Sequence, residues 1–245
     1  MLKKYFSNLY NRTMTESYDA AFREISAALG EGGLCLDCGA STGGSFLRLR
    51  TMLEFEQSRY CGVEWSAASV QAARAGGFNI IQADLNEKLP FDNGHFRCVF
   101  GVSVLEHLLN GCRFLKECHR VLEKNGTLVL LTPNISTFFT IALLLAGKMP
   151  SSGPHPDSNA LLVDGEVFKV SDEKLTYDTE SETPVHRHLV VFSFRVLRRY
   201  LAMIGFTNIK GYGFGLYPFP LFMQPFLEKI DPYHCHQMVF VAKRE

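Results

Sequence analysis

The sequence predicts an α/β protein: a doubly wound, mostly parallel seven-stranded sheet with helices on both faces, a three-layer sandwich. Three observations carry that prediction. Short apolar runs alternate with segments of helical spacing, which implies crossover connections between parallel strands. The first apolar run ends in Asp37 and passes into a glycine-containing turn, Gly39 to Gly43. Two later runs also end on acids, Glu64 and Asp84. Polar chemistry therefore collects where an open parallel sheet binds its ligands, beyond the carboxyl ends of its strands.

The elements follow in order. Tyr18, Phe22, Ile25 and Leu29 recur at helical spacing and predict a helix over 16–30, broken by Gly30, Gly32 and Gly33. LCLDCGA (34–40) is a buried strand, and residues 42–53 form the next helix. RYCGVEW (59–65) is a strand, and Ser66 is suited to cap the helix that follows. FNIIQAD (78–84) and FRCVFGVS (96–103) are the third and fourth strands. A helix over 110–123 is closed by Asn125-Gly126, and GTLVLLTP (126–133) is stopped by Pro133. The rhythm breaks over 134–190, a connection long enough to predict a lid-like insertion. SFRVLRRYLAMIGF (193–206) restores a helix, and TNIKGYGF and QMVFVAKR are the last two strands. The expected organisation is one domain over 1–245, with residues 1–30 as a helical cap.

Length and composition bound the function. A chain of 245 residues can bury a core without staples, and its apolar fraction of 47% is in the globular range. Basic and acidic residues balance at 25 each, with no basic stripe, so nucleic acid is not expected as a partner. Seven Cys fall mostly within predicted elements, a pattern of reduced, buried thiols and a cytoplasmic location. The first residues carry no apolar signal core. The most apolar run, Phe138 to Gly147, is far short of the ~20 residues a spanning helix requires. A monomer or homodimer is expected.

The chemistry gathers at the strand ends. Glycines in the turn from Asp37 permit positive φ and let backbone approach a ligand. The helix N-terminus that follows offers N–H groups to a carboxylate or phosphate. Glu64 suits the two hydroxyls of a ribose, and Asp84 with the Leu85 backbone suits an adenine edge. Trp65 offers a flat apolar surface to the ring. Asp37 before the first glycine would repel a pyrophosphate and attract the ammonium group of an amino acid. A nucleoside with a zwitterionic tail fits this set better than a dinucleotide, whose G-x-G-x-x-G is absent.

These residues carry a resemblance. LCLDCGASTGG resembles motif I of the class I S-adenosylmethionine-dependent methyltransferases, and YCGVEWSAASVQAAR resembles their second motif. IQADLNEKLPFDNGHFRCVFGVSVLEHL resembles the third and fourth motifs of the small-molecule group. The resemblance covers residues 30–134 and 186–206. It implies S-adenosylmethionine as cofactor. Asp37, Gly39, Ala40, Ser41, Thr42 and Gly43 would hold the methionine part. Glu64 would hold the ribose, with Trp65 and Ser66 alongside. Asp84 and Leu85 would meet adenine, and Gly101, Val102 and Ser103 would pass beneath the sulfonium. Ser41 departs from the family, since a second glycine is usual there. Arg97 replaces an acid that often follows Phe96.

On the acceptor side, methyl transfer requires alignment, and a base only where the nucleophile carries a proton. His107, His186 and His188 are the candidate bases, each with an alternative structural role as a cap or strand-edge residue. No metal is expected: His186-x-His188 and His234-Cys235-His236 each offer two ligands at strand spacing, and no third ligand at metal spacing completes either. Cys35 and Cys38 point to opposite faces of a strand, which argues against a redox pair. The aromatic-rich segments 138–147 and 212–226 suit either core and dimer-interface packing or a hydrophobic, lipid- or glycan-linked small-molecule acceptor. The function expected is methyl transfer to a small molecule, to oxygen before nitrogen. A non-catalytic cofactor-binding subunit and a nucleotide-dependent oxidoreductase are the rival readings.

Overall fold

The computed structural model describes residues 2–150, 152–158, 160–161, 167–168 and 187–245. The strands of its main sheet are β1 (Cys35–Cys38), β2 (Tyr60–Glu64), β3 (Ile80–Gln82), β4 (Phe96–Val102), β5 (Leu122–Pro133), β6 (Phe206–Phe214) and β7 (Gln237–Arg244). They form one sheet in the order β3-β2-β1-β4-β5-β7-β6. The first five strands are parallel, and the last two add an antiparallel hairpin beside β5. Strand order reverses between β1 and β4, which opens a crevice over their carboxyl ends. Asp37 pairs with Gly62 on one side and Phe100 on the other, so it sits at the middle of that crevice.

Helices cover both faces because the central strands are apolar on both. In β5, Leu128 and Leu130 enter one core while Val129 and Leu131 enter the other, the burial expected of a covered parallel sheet. One face packs against α1 (Leu2–Leu29), α2 (Gly44–Arg50) and α3 (Ala67–Ala75), through Phe22, Ile25, Leu29, Phe46, Leu49 and Val70. The opposite face packs against α4 (Gly111–Val121) and the helix α6 (Phe194–Ile204), through Phe114, Leu115, Leu197 and Leu201. Each such fully buried side chain contributes about 1.5–3 kcal/mol. Cys35 and Cys38 lie in different cores, as their spacing predicts.

The structure differs from the sequence expectation at three places. The N-terminal helix begins at Leu2, not near residue 16. Its first half is polar in sequence because it docks through hydrogen bonds: Tyr217 donates to Thr13 at 2.8 Å, and Arg12 donates to Gln224 on α7 (Gln224–Ile230) at 2.8 Å. β5 starts at Leu122, four residues earlier than Gly126 suggests, with a register irregularity opposite β4 between Phe96 and Cys98. The apolar run after β5 forms α5 (Phe138–Leu145), but Ile141, Leu144 and Leu145 are exposed, so it is not a core helix. No helix among the described residues is long and apolar enough to cross a membrane.

Candidate functional site

The turn after β1 is built from backbone constraints. The amides of Gly39 and Ala40 both donate to the Val63 carbonyl, at 2.8 and 3.0 Å, folding the chain over β2. Gly39 has φ +82°, and a Cβ there would stand 2.5 Å from a Val104 methyl. Only glycine satisfies both demands. Ala40 is accommodated because residue 62 opposite is glycine; a Cβ on Gly62 would stand 2.5 Å from that of Ala40. Ser41 itself adopts φ +46°. The glycine usual at this place is therefore replaced by a residue carrying left-handed strain.

Asp37 is 2% exposed. Its Oδ2 accepts the Tyr60 hydroxyl at 2.6 Å, and Ser45 also donates to it. Burial raises its carboxyl to about 6, against the lowering effect of those two donors; nearby Glu64 adds to the rise. The sequence alone set this carboxylate against a ligand's ammonium group. In the structure it is buried and accepts from the Tyr60 hydroxyl.

Glu64 ties two turns together. One carboxylate oxygen accepts from the Ser41 amide at 3.0 Å, the other from the Ser66 amide at 2.9 Å. A carboxylate offers about four lone-pair positions, so two remain for a diol. Ser66 caps α3 as predicted, accepting from the Ser69 amide. Trp65 is 66% exposed beside it. Asp84 is exposed and forms a turn in which Oδ1 accepts from the Asn86 amide at 2.8 Å. The Leu85 side chain is buried in the core below, and Thr42 is exposed at the turn. β4 ends in buried Gly101 and half-buried Val102. Ser103 follows at φ +54°, its hydroxyl 3.0 Å from that of Tyr18. Tyr18 was missed as a site residue; the only signal was its place on the apolar stripe of the first helix.

Beyond β4, the short turn Leu105–His107 carries Glu106 and His107. Glu106 is 2% exposed and accepts from the Thr132 hydroxyl at 2.9 Å. Burial raises its carboxyl to about 7. His107 Nδ1 lies 3.0 Å from the Arg187 carbonyl, and burial lowers its pKa. His188 joins it, with ring centroids 5.3 Å apart, and burial lowers His188 to about 3. His186 lies outside the described residues. The 234/236 pair does not converge: His234 binds Asp231 at 2.7 Å, while His236 is buried against Tyr10 and Tyr217. Asn134, fully buried, holds the exit from β5. Its amide donates to the carbonyls of Tyr233 and Cys235, and its oxygen accepts from Ser136 and the Phe194 amide.

Comparison with known proteins bears on this arrangement. Residues 36–130 match the family described as the methyltransferase domain. Those residues span β1 through most of β5, including every turn just described up to His107. This part of the chain is similar to that methyltransferase domain. Two curated relatives from Mycobacterium tuberculosis strains, each named a probable S-adenosylmethionine-dependent methyltransferase, are 42% identical over 59 residues. That match covers 24% of this chain and 21% of each relative's length. Solved structures extend the likeness in fold to nearly the whole chain. One from Thermotoga maritima, described as an S-adenosylmethionine-dependent methyltransferase and possible histamine N-methyltransferase, has a TM-score of 0.52 at 16% identity and covers 99% of both chains. Another from Mesorhizobium loti has a TM-score of 0.52 at 16% identity, covering 87% of this chain and 91% of its own.

Proposed function

We propose that the methyltransferase domain binds S-adenosylmethionine at the carboxyl ends of β1 to β4 and transfers its methyl group to a small-molecule acceptor, to oxygen before nitrogen. The observation that carries this reading is Glu64, which clamps the Ser41 and Ser66 amides and keeps lone pairs for a ribose, next to exposed Trp65 and Asp84. The residues fit the group. Glu64 takes the ribose hydroxyls, Trp65 and Asp84 the adenine, and the Gly39–Gly43 turn with Gly101–Ser103 the methionine part. When bound, the cofactor supplies an electrophilic methyl on a sulfonium.

The chain's own residues align the acceptor. His107 is the acid–base candidate: its bond to the Arg187 carbonyl places the proton on Nδ1 and the lone pair on Nε2, and burial keeps the ring neutral. His188 lies on the same side, next to His107. Exposed Leu144 and Leu145 on α5, with Phe222 and Phe226 near α7, support a hydrophobic acceptor. Calorimetric titration with S-adenosylmethionine and S-adenosylhomocysteine tests the cofactor assignment; no heat with either at millimolar concentration overturns it. Incubation with labelled cofactor and matched apolar alcohols and amines then tests transfer. Tight binding with no turnover on any acceptor favours a non-catalytic subunit.

A further inference from the structure

We propose that Glu106, His107 and His188 form a binding site for a divalent first-row metal ion such as Zn2+, with an open position for an oxygen atom of the acceptor. One ligand atom from each residue lies within 4.8 Å of the others. Two imidazoles and a carboxylate with a vacant position are the donor set of catalytic zinc sites and of facial-triad centres. Tetrahedral zinc with bonds of 2.0–2.1 Å needs ligand atoms about 3.3 Å apart. The ligand atoms must draw together as an ion enters, with the backbone of His188 held by hydrogen bonds to His155.

The surroundings match what metal ligands require. Ligating histidines donate their other ring nitrogen to a carbonyl or carboxylate, and ligating carboxylates are themselves hydrogen-bonded. His107 Nδ1 meets the Arg187 carbonyl, and Glu106 accepts from Thr132. Two features have no other account among the described residues. His188 Nδ1 is buried without a hydrogen-bond partner. Glu106 is a buried carboxylate that no Lys or Arg neutralises. A dication satisfies both at once, and buried neutral imidazoles are in the state that ligates.

The site also joins separate parts of the chain. Glu106 and His107 follow β4, whereas His188 ends the long connection after β5. The amides of Leu189 and Val190 already donate to the Glu106 carbonyl, at 2.7 and 3.3 Å. A bound ion would tie His188 to the turn after β4. The acceptor role rests on the methyltransferase reading; the ion binding does not. In that role the ion lowers the pKa of a coordinated hydroxyl, whose proton leaves to water, and the histidines act as ligands in place of a base.

The test is metal binding by the intact, metal-stripped protein. Titration with Co2+, read by visible absorption, and with Zn2+, read by calorimetry, is expected to show one site per chain. His188→Ala and Glu106→Gln are each expected to weaken binding at least 10-fold. Circular dichroism confirms that each variant is folded, and S-adenosylmethionine affinity is measured alongside. Loss of metal affinity with cofactor affinity kept supports the site. No stoichiometric binding to the parent protein, or equal affinity in folded His188→Ala, overturns it. Either result leaves the cofactor reading to its own titration.

Discussion

Replacing Asp37 with Asn is expected to change how stability depends on pH. In the native protein this carboxyl stands at about 6, against an ordinary value of 3.8, because it is buried. The folded state therefore binds a proton more tightly than the unfolded chain does. Below the unfolded value both states are protonated and the group contributes no difference. As pH rises from about 4 to about 6 the unfolded chain ionises first, and native stability falls; above about 6 the loss is complete. The gap corresponds to about 3 kcal/mol. Asn has nearly the same shape, can accept from Tyr60 through its oxygen, and does not ionise in this range. Urea unfolding of the parent and of Asp37→Asn, from pH 4 to 8 without cofactor, measures the difference between the two. The variant should gain about 2.5 kcal/mol relative to the parent between pH 4 and pH 7.5, whatever fixed offset the amide introduces. Parallel stability curves across that range would refute the argument, because they would mean the carboxyl titrates alike in both states.

Four further outcomes follow from the same geometry. Glu64→Gln should weaken S-adenosylmethionine binding by about 10- to 100-fold, the loss of a charged hydrogen-bond acceptor, read by calorimetry. Trp65→Ala should weaken it by about 10-fold through lost ring stacking, while leaving the melting temperature unchanged because the side chain is mostly exposed. Ser41→Gly relieves the left-handed backbone at φ +46° and should stabilise by up to about 1 kcal/mol, after the entropy cost of glycine; a loss larger than that in urea unfolding contradicts the strain. His236, held at about 4 by burial against an ordinary 6.5, has the opposite sign to Asp37. It favours the native state above pH 6.5 and loses that as pH falls towards 4, so His236→Phe should flatten the acid limb of the stability curve.

The parts of this molecule that were legible in the sequence are those encoded locally. β1, β2, β4 and β7 are apolar runs bounded by turn residues, and Ser66 caps α3 from its own position. The first half of α1 was not legible, because Arg12 and Thr13 look like surface residues until α7 and Tyr217 supply their partners. The exposure of Leu144 and Leu145 was equally hidden: an apolar run does not state which elements fail to cover it. At the site, the acids at the strand ends could be found from spacing, but not what each carboxylate touches. Asp37 reads as a ligand contact in sequence and is a buried partner of Tyr60 in the structure. The meeting of His107 with His188 depends on where the long connection returns, which no local pattern records.

The ends of β1, β2 and β4 share an electrostatic property that favours one class of ligand. Asp37, Glu64 and Glu106 are all buried there. None of the three forms an ion pair with Lys or Arg among the described residues, although the chain as a whole is neutral. The acids are held instead by hydroxyl and amide donors, which satisfy lone pairs without cancelling charge. Burying ionised carboxylates in that way opposes folding, as the raised values at Asp37 and Glu106 indicate. A cationic ligand reduces that cost on arrival, whereas a pyrophosphate would add to it. S-adenosylmethionine brings two positive centres, a sulfonium and an ammonium group, against one carboxylate. The uncompensated charge at the strand ends is therefore a stronger argument for that donor, and against a dinucleotide, than the glycine turn by itself.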